Sequence, residues 1–188
     1  MARTRDEARR AALLEAVVDY VCEHGLADLS LRPLAKAVGS SPRVLLHYFT
    51  SKEELVVEII RAGRRRQQAM VAELKLSDLS PREIAAALWR QWSAPRWQAL
   101  TRLSFEVYSL ALQDRARFGD FLKRSIEDWL TALERCAPNP DASRAEIRAY
   151  ATMLIAGFRG FLLDLLGSGD RKRVEEAFTR WLDLIYET

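Results

Sequence analysis

The chain has 188 residues, of which 49% are hydrophobic and 29% charged, a composition typical of a globular protein with its own core. Its longest stretch without a charged residue is Ala149 to Phe158, ten residues. A transmembrane helix needs about 20 residues, and no secretory signal is recognisable, so a cytoplasmic protein without a membrane span is expected. The formal net charge of +3 comes from the first 70 residues, which hold 12 basic and 9 acidic side chains.

Helical periodicity runs through the chain and no segment alternates like a strand, which predicts an all-α fold of about nine helices. The first helix is expected to begin at Thr4 in a capping box, after a basic arm of residues 1–5. Two short helices follow, capped by Ser30 and by Ser41, with a turn at Gly39 between them.

A long connector helix is predicted from residue 51 to about residue 75, with five more helices beyond it. Two of these helices have sequence signatures of a capping box at their start. The pairs are Ser80 with Glu83 and Ser143 with Glu146.

Two short helices joined by a turn, with an amphipathic helix before them, are typical of a helix-turn-helix, which places its second helix in the major groove. A plain three-helix cluster would explain the apolar positions. It would not explain why residues 30–52 carry basic side chains and no carboxylate, a pattern that suits a polyanion.

The segment LSLRPLAKAVGSSPRVLLHYFTSKEEL, residues 29–55, closely resembles the DNA-binding signature of the TetR family of bacterial repressors. The helix number and the chain length match that family as well. The resemblance implies a homodimer with two domains per chain. Residues 1–50 would bind DNA, and residues 51–188 would form the connector together with a ligand-binding and dimerisation domain.

The resemblance places five residues in the recognition helix and one at the start of the connector, where the family contacts phosphate: Ser41, Pro42, Arg43, His47, Tyr48 and Lys52. Arg43 can bond guanine in a bidentate manner, while Tyr48 and Lys52 suit phosphate oxygens. Three more arginines are expected to contact the DNA backbone or the minor groove: Arg3, Arg5 and Arg32. For the arm, a solvated tail is the alternative. Because Arg43, Val44 and Leu46 depart from the family's usual residues, the operator sequence cannot be taken from relatives.

The helices after the connector are rich in aromatic side chains, most of which are expected to form core. The sixth helix is apolar on more than one side and carries two polar residues at i, i+4 spacing. Apolar surface with a few polar groups is typical of a small-molecule site. We therefore predict a pocket for a largely hydrophobic or aromatic effector, lined by Trp89, Trp92, Arg102, Phe105, Glu106, Tyr108, Phe121, Trp129 and Phe158.

The helix predicted over residues 143–167 has a second stripe of mostly small residues, which favours close helix packing. The resemblance places the dimer contact in this helix and the last one, which would form a four-helix interface. A monomeric bundle is the alternative. The predicted interface residues are Ala149, Thr152, Met153, Ala156, Gly160, Leu163, Phe178, Trp181 and Ile185.

Other function classes find little support. The sequence contains no HExxH, GxSxG or phosphate-loop motif and only two histidines, so neither an enzyme nor a cofactor or metal site is expected. Cys22 and Cys136 lack metal-ligand spacing. The predicted function is a repressor released from DNA by a small molecule, with an activator or a redox-responsive regulator without such an effector as alternatives.

Overall fold

The computed structural model describes residues 2–26, 29–74, 76–139 and 141–186, without the side chains of residues 2–4, 117, 120 and 121. Within these residues the chain forms nine α-helices, one 3-10 helix and no strand, which confirms the predicted fold class. The 3-10 helix is Pro95–Trp97. The α-helices are α1 (Ala2–His24), α2 (Leu31–Ala37), α3 (Pro42–Phe49), α4 (Lys52–Ala72), α5 (Pro81–Ser93), α6 (Gln98–Gln113), α7 (Arg115–Glu134), α8 (Arg144–Ser168) and α9 (Arg171–Tyr186).

Capping chemistry sets the start of several helices. Ser80 before α5 and Ser143 before α8 each form the reciprocal capping box that the sequence predicts, so both boxes are confirmed. Ser30 occupies the N-cap position of α2 as expected, but its side chain makes no capping hydrogen bond.

For residues 2–5, which the structure describes, the predicted N-terminal arm is wrong, while Met1 lies outside the described residues. Helix α1 begins at Ala2, so Thr4 lies within the first turn instead of capping the helix. Alanine and arginine are strong helix formers, and this propensity extends the helix beyond the predicted start. Arg5 is exposed on α1, whereas the side chain of Arg3 lies outside the described residues.

The chain divides into two compact units. The first comprises Met1–Met70 with Arg102–Leu110, and the second comprises Val71–Thr101 with Ala111–Thr188. The core of the first unit consists of fully buried apolar side chains from α1 to α4: Val17, Val18, Leu34, Leu45, Phe49, Leu55 and Ile59. The division predicted at residue 50 separates functions rather than compact units and stays a prediction.

Helix α8 is the central helix of the second unit and packs on α5, α7 and α9. Its most apolar 18-residue stretch has a mean hydropathy of 1.4, and 33% of that stretch is buried within the chain. By length and composition α8 could therefore cross a membrane, although Arg159 interrupts its apolar sequence. This is weak evidence for a span, because the core helix of a soluble protein passes the same test.

Candidate DNA-binding interface and effector domain

The start of α3 is built to project polar side chains outward. Gly39 in the preceding turn has a φ of +62°, a conformation that favours glycine. The Ser41 hydroxyl then caps α3 by accepting the N–H of Val44 at 3.3 Å, and Pro42 fills the first helical position. Leu45 and Phe49 are buried on the inner face of the helix.

Three of the predicted DNA-contacting residues of α3, Ser41, Arg43 and His47, are exposed, and Pro42 is half-buried. Arg32 in the first turn of α2 is exposed as well. The structure therefore places these predicted residues on the accessible side of the helix-turn-helix.

The N-terminus of α4 forms a second exposed polar region. Lys52, its first residue, is exposed, and the Ser51 hydroxyl accepts the N–H of Glu54 at 3.0 Å. A lysine beside the N–H groups that open a helix suits a phosphate oxygen.

Tyr48 has a partner that the sequence did not reveal. Its hydroxyl donates a hydrogen bond of 2.8 Å to Oδ1 of Asp6, a residue of α1 that lies 42 positions earlier in the chain. This bond raises the pKa of Tyr48 above its ordinary value. Residues 30–52 contain no carboxylate, yet folding brings one from α1 to the recognition helix.

Arg10 ties α1 to α3 and α4. Its Nε donates to the backbone oxygen of Tyr48 at 3.4 Å, and its guanidinium lies 5.1 Å from the centre of the Phe49 ring. Its Nη2 also pairs with Glu58 of α4 at 3.2 Å. Burial alone would raise the pKa of Glu58, but hydrogen bonds from Arg61 and Arg10 hold it below its ordinary value. Arg10 thus fixes the C-terminal end of the recognition helix.

Arg66, in the basic cluster of α4, contacts α1. It bonds Glu15 through Nε at 2.9 Å and Asp19 through Nη1 at 2.6 Å. Arg66 therefore links α4 to α1.

Four of the predicted pocket residues come together in the second compact unit. The Trp92 ring meets Trp129 and Phe158 edge-on at centroid distances of 5.0 Å and 4.9 Å. Trp89 stacks on Phe178 at 4.3 Å. These rings form a contiguous aromatic cluster, since Phe158 and Phe178 also stack on each other at 5.6 Å.

Arg102 and Glu106 belong to the first compact unit and bind the end of α1. Arg102 Nη2 donates to the backbone oxygen of Cys22 at 2.5 Å, and the N–H of Leu26 donates to Glu106 Oε2 at 2.6 Å. A cation beside the last carbonyls of a helix is a favourable arrangement.

The other predicted pocket residues are Phe105, Tyr108 and Phe121. Phe105 and Tyr108 are half-buried on the same middle section of α6 as Arg102 and Glu106. The side chain of Phe121 lies outside the described residues.

The small-residue stripe of α8 is exposed along its length. Met153 is 52% and Leu163 57% exposed, and Leu184 of α9 is 79% exposed. The stripe consists of Ala149, Thr152, Met153, Ala156, Gly160 and Leu163.

On α9 the structure corrects the predicted interface. Phe178 is only 2% and Ile185 only 6% exposed, so both belong to the core of their own chain, and Trp181 is half-buried. The inward face of α9 takes in Phe178, Leu182 and Ile185, and its exposed apolar positions lie elsewhere on the helix.

Both cysteines are buried free thiols. Burial raises the pKa of Cys22, and it raises that of Cys136 to about 12. Within the part of the chain that the structure describes, no group of three His, Cys, Asp or Glu side chains is placed to hold a metal ion.

The exposed polar start of α3, held on α1 and α4, defines a helix-turn-helix DNA-binding protein. Residues 13–59 match the family model for bacterial regulatory proteins of the tetR family. The HTH-type transcriptional regulator BetI of Agrobacterium fabrum is 30% identical to this chain over 156 residues, which cover 79% of the chain and 74% of that protein. The chain belongs to the TetR family.

Two further comparisons extend over nearly the whole chain. The HTH-type transcriptional repressor AcnR of Corynebacterium diphtheriae is 26% identical over 194 aligned positions, covering 100% of this chain and 95% of that protein. The crystal structure of a transcriptional regulator from Rhodococcus sp. Rha1 matches with a TM-score of 0.79 at 20% identity, covering 95% of this chain and 96% of the other. This chain is accordingly a transcriptional regulator and not an enzyme.

Proposed function

We propose that this protein is a cytoplasmic, homodimeric repressor that binds a palindromic DNA operator and is released by a small hydrophobic or aromatic effector. The observation that carries the proposal is the exposed polar start of α3, with Arg43 and His47 pointing away from the buried Leu45 and Phe49. The repressor AcnR, similar over the whole chain, supports the direction of regulation.

In the proposed complex, base contacts and phosphate contacts come from different residues. Arg43 has an exposed guanidinium suited to a bidentate bond with guanine in the major groove. Lys52, Arg32 and Arg5 are exposed and suited to phosphate oxygens. A phosphate of the DNA would repel the Asp6 carboxylate. Tyr48 would therefore exchange its hydrogen bond with Asp6 for one with the phosphate.

The exposed face of α8 supports a dimer. An apolar stripe with Met153 and Leu163 more than half exposed is unusual for a surface helix, whereas a two-fold interface would bury it. Small residues such as Gly160 would let two copies of the helix approach closely. A two-fold dimer would present its recognition helices to successive major grooves, roughly 34–36 Å apart.

The aromatic cluster around Trp92, Trp129 and Phe158 supports an effector site of matching chemistry. Release from DNA requires that the effector bind one conformation of the dimer more tightly than the other. Helix α6 is suited to transmit the conformational change caused by the effector, because Arg102 and Glu106 hold the C-terminal end of α1.

The test is binding of purified protein to DNA from the region upstream of its own coding sequence, followed by fluorescence anisotropy across a salt series. Arg43→Ala should weaken specific binding by roughly 5- to 150-fold through loss of a base contact. Arg90→Ala, which removes an exposed arginine of α5, serves as the matched control and should leave affinity unchanged.

Asp6→Asn adds a second test of the interface, because it should raise the affinity for DNA whereas Arg43→Ala should lower it. The neutral amide oxygen of Asn binds the Tyr48 hydroxyl more weakly than the carboxylate does and does not repel phosphate, so affinity should rise by about two- to fivefold at low salt. Equal affinity of wild type, Arg43→Ala and Arg90→Ala for every DNA tested would refute the assigned interface.

A further inference from the structure

The indole of Trp97 contains a buried donor without an acceptor. Trp97 is the last residue of the 3-10 helix between α5 and α6. Among the buried side-chain nitrogen and oxygen atoms that the structure describes, its Nε1 is the one that has no hydrogen-bond partner.

An unpaired indole N–H is unfavourable in a protein interior. The group can only donate, and buried polar groups in folded proteins nearly always have a partner. A phenylalanine would offer similar apolar surface without an unsatisfied donor. The Trp97 indole can therefore donate a hydrogen bond that packing of the chain does not use.

A cation lies beside this indole. The guanidinium carbon of Arg96 is 5.8 Å from the centre of the Trp97 ring, and Arg96 Nη2 donates to the buried Gln91 side-chain oxygen at 3.1 Å. An acceptor that carries negative charge would be attracted by Arg96, whereas a cation would be repelled. The positive charge of Arg96 beside Trp97 therefore favours a ligand with an electron-rich oxygen.

Local structure also connects Trp97 to the aromatic side chains of α5. The hydroxyl of Thr101, in the first turn of α6, donates to the backbone oxygen of Trp92 at 3.4 Å. The Trp92 ring in turn contacts Trp129 and Phe158. The turn that carries Trp97 is thus anchored to the residue at the centre of the predicted apolar site.

We propose that Trp97 Nε1 donates a hydrogen bond to an acceptor oxygen of the effector, which is an otherwise apolar molecule with a carbonyl or carboxylate group. This inference rests on the proposed function, in which the protein responds to a small molecule. It adds the polar group of that molecule and the residue that recognises it.

The position of Trp97 suits a regulatory contact. It directly precedes α6, and five residues later the same helix carries Arg102, which bonds the carbonyls at the end of α1. Glu106, one turn further, accepts the N–H of Leu26. A ligand bonded to Trp97 therefore acts at the beginning of the helix that holds α1.

The test uses three probes with one aromatic ring each: acetophenone with a carbonyl, benzoate with a carboxylate and ethylbenzene with no acceptor. The chain has five tryptophans, so a protein with 15N-labelled indoles gives five side-chain signals, and Trp97→Phe identifies one of them. Each probe is titrated into wild type and variant. The four other indole signals report that the variant is folded and show whether a probe binds elsewhere.

In wild type, at least one oxygen-bearing probe should move the Trp97 signal and bind roughly five- to tenfold more tightly than ethylbenzene, as expected for one hydrogen bond. The preference should disappear in Trp97→Phe. Comparison of benzoate with acetophenone identifies the acceptor as charged or neutral. Should the variant not fold, the Trp97 indole signal is assigned in wild type by triple-resonance NMR, and the wild-type titrations then decide.

The proposal is overturned if ethylbenzene binds wild type as tightly as the oxygen-bearing probes, if Trp97→Phe keeps the preference, or if neither oxygen-bearing probe binds. Release of operator DNA is measured separately on the same samples. Binding at Trp97 without release supports the assigned donor and argues against release of DNA by a ligand at this position, so the two proposals fail in different ways.

Discussion

Replacement of Gly157 in α8 by alanine should destabilise the protein, although alanine is the better helix former. A Cβ at this position would lie less than 3.0 Å from three atoms of the Trp181 ring, Cζ2, Cη2 and Cε2. The ring has little room to move, because Phe161 and Phe178 lie at centroid distances of 5.5 Å and 5.6 Å from it. Gly157 thus sets the close approach of α8 and α9.

Two opposing contributions set the expected change in the free energy of unfolding of Gly157→Ala. Alanine is favoured over glycine in a helix interior by about 1 kcal/mol, while overpacking a filled core costs about 1–3 kcal/mol. Gly167→Ala on the same helix is the matched control, since nothing lies within 4 Å of a Cβ at that position. Gly160 is less suitable because it belongs to the proposed dimer face. The free energy of unfolding of Gly157→Ala should therefore fall below that of Gly167→Ala by about 1–3 kcal/mol.

The measurement is urea-induced unfolding of both variants and wild type at one protein concentration, followed by circular dichroism. Trp181→Phe combined with Gly157→Ala should recover part of the loss, because the smaller ring makes room for the methyl group. Equal unfolding free energies for Gly157→Ala and Gly167→Ala would refute the assigned contact between α8 and α9.

Leu163→Glu on the exposed face of α8 should raise the dimer dissociation constant by about 100-fold or more in analytical ultracentrifugation, since two carboxylates would be buried per dimer. Leu112→Glu, at a leucine of α6 that is 51% exposed, is the control, and an equal effect there would argue against the α8 interface. Cys136, whose thiol pKa is raised to about 12 by burial, should not react with a thiol reagent at pH 8 until the protein is unfolded. Full labelling of Cys136 in the native protein would instead support the alternative of a redox-responsive regulator.

Local sequence patterns were sufficient for the fold class and for most helix boundaries. The capping boxes at Ser80 and Ser143 involve residues only three positions apart, so their chemistry is written in the sequence itself. The same holds for the start of α3, where Ser41 and Pro42 fix the helix and leave Arg43 exposed. The sequence also contained the family signature, which the comparisons confirm.

Contacts between distant segments could not be predicted from these local patterns. The carboxylate that binds Tyr48 comes from Asp6, and Arg102 and Glu106 bind the end of α1 about 80 positions away. Spacing within α6 showed that these two residues share a face, but it carried no information about what that face meets. The predicted pocket therefore included two residues that hold a helix end.

Residue spacing shows that α9 is amphipathic, but which of its apolar residues face the chain's own core depends on how the helices pack. Phe178 and Ile185 were predicted for the dimer face and are buried, while Leu184 between them in the helix is exposed. Helical periodicity defines the relative direction of side chains around one axis. The partner of each face depends on how helices pack, and this packing is settled by shape, as at Gly157 and Trp181.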